Sequence, residues 1–270
     1  MTRAAGPDFI EALARGLDVL RSFGPGGYGS GRRAATLSEI AAGTGLARPT
    51  VRRILLTLTE LGYVRAEERG FALTPRVLEL GMAYVHSLDM WDVARPHMER
   101  LVAQTGESTS MAQLDGSDIV YVARVAVPKI VTLAVTIGTR FPAVATSMGK
   151  VLLAALEPAE LDAVLAQPGR SGIEARVRPG RDELDRSLRE VRARGWALAD
   201  QDLALGIRSI ATGVRNGDGK VVAALNVTVH AAETPVDKLT GVYLPPLLHA
   251  AADISNDWAL RDAAPMIVQA

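Results

Sequence analysis

Cysteine is absent from all 270 residues. That excludes disulfides, thiol nucleophiles and cysteine-ligated zinc together. Lysine is absent from the first 88 residues, where the fixed cations are 11 arginines. No run of 18 uninterrupted apolar residues occurs, so no membrane-spanning helix is predicted. The opening MTRAAGPDFIEALARG has no apolar core ahead of its acidic positions, which argues against a secretory signal and for a cytoplasmic protein. The four histidines, His86, His97, His230 and His249, are scattered. None has a metal-ligand spacing, so neither a metal nor a cofactor is expected.

What is present suffices for two packed domains: 270 residues, of which 48% are hydrophobic. The net charge of zero hides an asymmetry. Residues 1–88 carry 11 arginines against 8 acidic residues, which gives +3 and leaves −3 for residues 89–270. That excess permits phosphate binding without demanding it. Its placement says more. Arg48, Arg52 and Arg53 gather at one helix start, and Arg65 and Arg69 flank a turn.

Residues 8–23 read as an amphipathic helix, with Ile10, Leu13, Leu17 and Leu20 at helical spacing. Residues 24–35 hold five glycines and a proline, and read as a loop. Thr36-x-x-Glu39 has the form of a capping box before a helix at 37–43. Gly43 and Gly45 bracket a turn. A second helix at 48–61 puts Val51, Ile54, Leu55, Leu58 and Leu61 on one face. Ala47 stands where a polar cap would be preferred, at a small local cost. Residues 62–74 read strand, turn, strand.

A helix pair, a hairpin directly after it and arginines on the polar face together predict a DNA-binding head. Thr50 and Arg52 lie on the exposed face, where base edges or phosphates are within reach. Arg48 and Arg53 suit backbone phosphates, and Arg65 and Arg69 suit flanking phosphates or the minor groove. The bland alternative is an ordinary helical hairpin with solvated arginines.

Pro75 opens a further helix, expected over 75–88, and another is expected over 91–105 with Pro96 in its first turns. From Glu107 the texture changes. SMAQLD, IVYVARV and KIVTLAV read as consecutive strands. A helix follows at 147–156, then helices at 158–166 and 181–194. WALADQD, SIATGVRN and KVVAALNVTVHA read as strands, with Asn216-Gly217-Asp218-Gly219 as a hairpin turn. A last helix runs from Pro235 to Trp258, and a disordered tail is expected past Asp262.

At this point the chain resembles a known family. LSEIAAGTGLARPTVRRILLTLTELGYV is similar to the winged helix-turn-helix of IclR-type bacterial transcription regulators. IGTRFPAVATSMGKVLLAAL resembles that family's Gly-x-x-x-Pro…Gly-Lys-x-Leu-Leu-Ala block, at Gly138, Pro142, Gly149 and Lys150. RGWALADQDLALGIRSIATGV and VVAALNVTVHA resemble its two later blocks. The resemblance covers residues 9–256. The ALARGLDVL opening, RPTVRR and DIVYVAR resemble the branch that regulates protocatechuate, 4-hydroxybenzoate and β-ketoadipate catabolism.

The resemblance implies an α+β protein: a winged helix-turn-helix at 8–74, a linker helix at 75–88, a GAF-like α/β sensor with an antiparallel sheet at 89–258, and a tail at 259–270. It also implies an effector pocket between the sheet and the loop entering the Gly-Lys helix. The start of that helix, TSMG, offers free backbone N–H groups and a positive dipole end, which suit a carboxylate. By position, Ser147, Met148 and Gly149 fall in the carboxylate-holding block. Ser209, Asn226 and Thr228 match polar pocket positions, and Ile130, Leu133, Phe141, Ala199 and Ile207 match its walls. Each has a structural alternative. Ser147 also suits a helix cap, and Asn226 and Thr228 suit hydrogen-bonded strand positions. Arg124, Arg140 and Arg208 suit either a carboxylate anchor or ion pairs with Asp118, Asp200 or Asp202.

The expected partners are a double-stranded DNA operator, a small aromatic or dicarboxylic acid, and a second copy of the chain in a homodimer able to pair into a dimer of dimers. No membrane partner is expected. The competing class is an enzyme acting on small carboxylates or esters with an appended DNA-binding domain. Ser147 in a helix-start loop suggests a nucleophile. But TSMGK lacks the Gly-x-Ser-x-Gly elbow, and no histidine lies near it in sequence. The chain is therefore read as a regulator without catalysis.

Overall fold

The computed structural model describes residues 6, 8–23, 34–80, 90–128 and 135–262. The chain divides into two compact units, Met1–Ser87 and Leu88–Ala270.

The first unit contains α1 (Glu11–Arg21), α2 (Leu37–Thr44), α3 (Arg48–Glu60) and a hairpin of β1 (Val64–Glu67) and β2 (Gly70–Leu73). The capping box is formed. Thr36 Oγ1 accepts from the Glu39 N–H at 3.3 Å, and the Thr36 N–H donates to Glu39 Oε2 at 2.8 Å. Gly45 closes α2 at φ +67°, a conformation that costs glycine little. Ala47 offers α3 no side-chain cap. Val19, Ile40, Val51, Leu55 and Val64 form the core of this unit. The hairpin gains a third partner in Ala35, whose N–H and carbonyl both bond to Phe71 at 2.8 Å.

Leu61, the last residue of the apolar face of α3, stands at the helix C-cap and is 51% exposed. On α1 the anchoring residue is Val19, fully buried, while Ile10, Leu13 and Leu17 stay exposed. The stripe seen in the sequence is therefore a surface stripe.

The helix expected from Pro75 begins at Val77 instead. Its opening turns on Val77 N–H to Thr74 O and Leu78 N–H to Pro75 O. Residues 81–89 of the expected linker lie outside the described residues. So do residues 24–33 of the loop, 129–134 of the strand KIVTLAV and the tail past Asp262.

The second unit is built on one antiparallel sheet of order β5-β4-β3-β8-β7-β6. Its strands are β3 (Ser108–Asp115), β4 (Asp118–Val125), β5 (Arg140–Pro142), β6 (Trp196–Asp200), β7 (Ile207–Arg215) and β8 (Val221–His230). The strand period of two sorts residues to opposite faces. Met111, Ile210, Leu225 and Val227 pack with α4 (Met90–Thr105) and α8 (Leu244–Asp262). Ala112, Ala211 and Ala224 pack with α5 (Ser147–Ala154) and α7 (Arg181–Arg194). α6 (Pro158–Leu165) adds Leu161 to that second core. β5 is three residues long, too short to carry a periodicity in sequence. The last helix is preceded by a wide π turn at Leu239–Tyr243 and runs four residues past Trp258.

Candidate functional site

Two regions carry chemistry, one in each unit. In the first, α3 presents Arg52 on its exposed side, with Thr50 half-buried nearby. Arg48 is exposed and its Nη2 donates to Ser38 Oγ, which ties the start of α3 to α2. Arg53 lines an apolar groove between α1 and α3, together with Leu13, Leu17 and Ile54. On the hairpin, Arg65 is held by Glu67 at 2.9 Å. Arg69 is exposed in the turn. All five arginines are exposed; among them Arg48 and Arg65 have side-chain hydrogen bonds within the protein.

The second region is a cavity of about 70 Å3 at one end of the sheet, walled by β4, β7, β8 and the loop entering α5. A water centre needs roughly 10–15 Å3 of such space, so the cavity suits a small molecule. Of the sequence-predicted residues, Arg124, Phe141, Ala199, Ile207, Ser209, Asn226 and Thr228 line it together. Ser147, Met148 and Gly149 do not; they are fully enclosed, while Ala145 and Thr146 reach the cavity surface. Ile130 and Leu133 lie outside the described residues.

The helix start differs from its expected form. Thr146, not Ser147, is the cap of α5. Its Oγ1 accepts from the Gly149 N–H at 3.0 Å, and its carbonyl accepts from the Lys150 N–H at 2.9 Å. The Gly149 amide is therefore spoken for. Its glycine serves close approach instead: a Cβ there would sit 2.0 Å from the Ala143 carbonyl oxygen. Ser147 Oγ lies 2.7 Å from Ser209 Oγ, joining α5 to β7.

The polar floor is ordered by Asn226. Its Oδ1 accepts from the Ser110 N–H at 3.0 Å, which fixes the amide's orientation. Its NH2 then donates to Thr228 Oγ1 at 3.0 Å. The Thr228 oxygen is the acceptor in that bond, so it keeps a proton to donate. Burial pushes the Tyr121 phenol up to about 12, which keeps its own proton in place. Arg124 Nη1 donates to Ser110 Oγ at 3.0 Å.

The other candidate anchors are engaged. Arg208 makes a forked pair with Asp200 at 2.8 and 3.0 Å. That pairing, chiefly its hydrogen bonds, holds the Asp200 carboxyl below its ordinary range. Arg140 pairs with Asp115 and stands 3.7 Å from Asp118, and Lys150 pairs with Asp202 at 2.6 Å.

Sequence reasoning missed Ser108, Tyr121, Thr146, Asp202 and His230, which also line the cavity. A signal for His230 existed. Asn226, Thr228 and His230 share one parity on β8, opposite Leu225, Val227 and Val229. The His230 ring reaches the cavity, but its Nδ1 is buried without a hydrogen-bond partner. No serine–histidine pair is formed through that nitrogen. The arrangement gathers hydroxyl donors and the Arg124 guanidinium beside the carboxylates of Glu107 and of Asp202, the latter paired with Lys150.

Comparison with known proteins then gives three findings. Residues 12–68 match the family model described as the IclR helix-turn-helix domain, and residues 82–256 match Bacterial transcriptional regulator IclR C-terminal. The Pca regulon regulatory protein of Pseudomonas putida is 38% identical over 251 residues, covering 93% of this chain and 84% of that one. Among solved structures, a candidate transcriptional regulator from Rhodococcus sp. RHA1 is 47% identical with a TM-score of 0.80, covering 94% of this chain and all of that one. An IclR homologue from Microbacterium hydrocarbonoxydans, solved with 4-hydroxybenzoate, is 27% identical with a TM-score of 0.76, covering 93% of this chain and all of that one.

Proposed function

The chain belongs to the IclR family of bacterial transcriptional regulators, and on that premise we propose that a small carboxylic acid, bound in the cavity of the second unit, adjusts its grip on operator DNA. The observation that carries this reading is the cavity's donor set: Thr228, Tyr121, Ser209 and Arg124 around a small enclosed space. The relative that holds 4-hydroxybenzoate supports an acid of that size.

In this reading residues 8–74 are the DNA head, 75–88 the connector, 89–258 the sensor and 259–270 a tail. Arg52 and Thr50 read base edges, and Arg48, Arg53, Arg65 and Arg69 hold phosphates. Phe141, Ala199 and Ile207, with Ile130 and Leu133, face the ligand's apolar body. The start of α5 adds its positive end through the wall at Ala145 and Thr146, with Ser147, Met148 and Gly149 enclosed behind it. The protein works in the cytoplasm as a homodimer, and two dimers pair into a tetramer. The exposed stripe Ile10, Leu13 and Leu17 of α1 suits a self-contact, and a two-fold dimer suits a pseudo-palindromic operator.

The test is calorimetric titration with 4-hydroxybenzoate of the intact protein and of Ala199→Leu, which fills the cavity. Saturable binding lost in the variant is expected. Equal binding by both proteins would place the effector elsewhere.

A further inference from the structure

A helix turns about 100° per residue, and α3 divides accordingly into three sides. Val51, Leu55 and Leu58 are buried in the core of the first unit. Arg53, Ile54, Thr57 and Leu61 line the groove shared with α1. The third side carries Arg48, Arg52, Leu56 and Glu60, a row of four-residue steps in which every member is exposed. Neither the core nor the groove uses this row.

Leu56 is the apolar member of the row. It is 47% exposed and joins no buried cluster of the described residues. A single exposed leucine is ordinary on a protein surface; the neighbours of this one set it apart. Arg52 stands one turn before it and Arg48 two turns before it, cations that draw the row towards a polyanion. Past Arg52 the helix offers few groups for hydrogen bonding. The Thr57 hydroxyl donates to the Arg53 carbonyl at 3.1 Å, and the Thr59 hydroxyl to the Leu55 carbonyl at 2.8 Å. Both protons are spent on the backbone. Glu60, one turn past Leu56, repels phosphate. A branched apolar side chain therefore follows Arg52 along the face that the cations turn towards DNA.

The major-groove edge of a base pair carries one apolar group, the 5-methyl of thymine, and apolar side chains recognise it by contact. We propose that Leu56 is a specificity-determining residue that packs against a thymine methyl in the operator. This rests on the reading of α3 as the helix in the major groove, and it adds a base preference that no arginine supplies. Four residues of helix span about 6 Å, and successive bases are about 3.4 Å apart. The thymine thus lies one or two base steps from the position met by Arg52.

The experiment uses the full chain and the duplex it selects from the DNA upstream of its own gene. Each thymine is replaced in turn by deoxyuridine, which keeps the hydrogen-bonding edge and removes the methyl alone. Fluorescence anisotropy reads the affinity of the unmodified chain, Leu56→Ala, Leu56→Met and Arg52→Ala, with thermal melts to confirm folding. The expected result is a loss of about fourfold at a particular thymine, the worth of one methyl group taken out of water. That loss should vanish in Leu56→Ala, persist in Leu56→Met and persist in Arg52→Ala. Deoxyuridine tolerated at every position by the unmodified chain would overturn the proposal, and so would an equal loss in Leu56→Ala. A changed oligomeric state of Leu56→Ala by sedimentation, with the thymine preference intact, would assign the leucine to a self-contact and also overturn it. In each of these cases weaker binding by Arg52→Ala leaves the reading of α3 standing. Operator affinity indifferent to both Arg52→Ala and Leu56→Ala, or no duplex selected at all, would overturn both.

Discussion

At Asn226 one side chain is held by the protein at both of its polar atoms. Its oxygen accepts from Ser110, and its nitrogen donates to Thr228. Thr228 is different, since its oxygen accepts and its proton stays available. A hydrogen bond to a charged partner contributes about 1.5–3 kcal/mol. Thr228→Val, which keeps the shape, should therefore weaken acid binding by at least tenfold and leave operator binding unchanged. Arg52→Ala should do the reverse. If Arg52 reads a base it costs about 1–3 kcal/mol of operator affinity, with acid binding untouched. Parallel calorimetry and fluorescence anisotropy read both. Loss of both activities in either variant would show that the two sites are not separable in this way.

The wing illustrates what a single element needs. Gly70 sits at φ +149°, and a Cβ there would lie 2.3 Å from the Ala35 carbonyl oxygen. Ala35 is the residue that joins the hairpin through two backbone bonds. Gly70→Ala must therefore push Ala35 away, and a loss of about 1–3 kcal/mol is expected. A thermal melt of the full chain would show the first unit unfolding earlier, and an unchanged melt would contradict the close approach. At this scale much was legible in sequence. The capping box, the α3 start and the hairpin at Asn216–Gly219 each rest on local rules and took the expected form. β5 escaped because three residues carry no period. Periodicity found the apolar faces of α1 and α3 without saying what covers them. Thr146 displaced Ser147 as cap because either can accept from an N–H, and only the backbone torsion decides which one stands outside the helix. Arg124 and Arg208 look alike in sequence. Which one is paired depends on Asp200 lying across the β6–β7 ladder.

Across the molecule, the proposed regulation needs a ligand in one compact unit to act on the other. A ligand shifts an equilibrium only by its differential affinity for the two states. Composition already hinted at the division of labour, with +3 in the first 88 residues and −3 in the rest. Sequence pattern could not show the cavity itself, because it closes only when Arg124, Ser209 and Thr228, far apart in the chain, meet across four strands. Linkage makes the central claim measurable from either side. If the acid alters operator affinity by some factor, the operator must alter acid affinity by the same factor. The decisive measurement is acid affinity by calorimetry on the free protein and on the protein saturated with the duplex it selects from the DNA upstream of its own gene. The account predicts a change of about 5–150-fold, matched by an equal change in operator affinity when the acid is present. Identical acid affinities in the two conditions would contradict it.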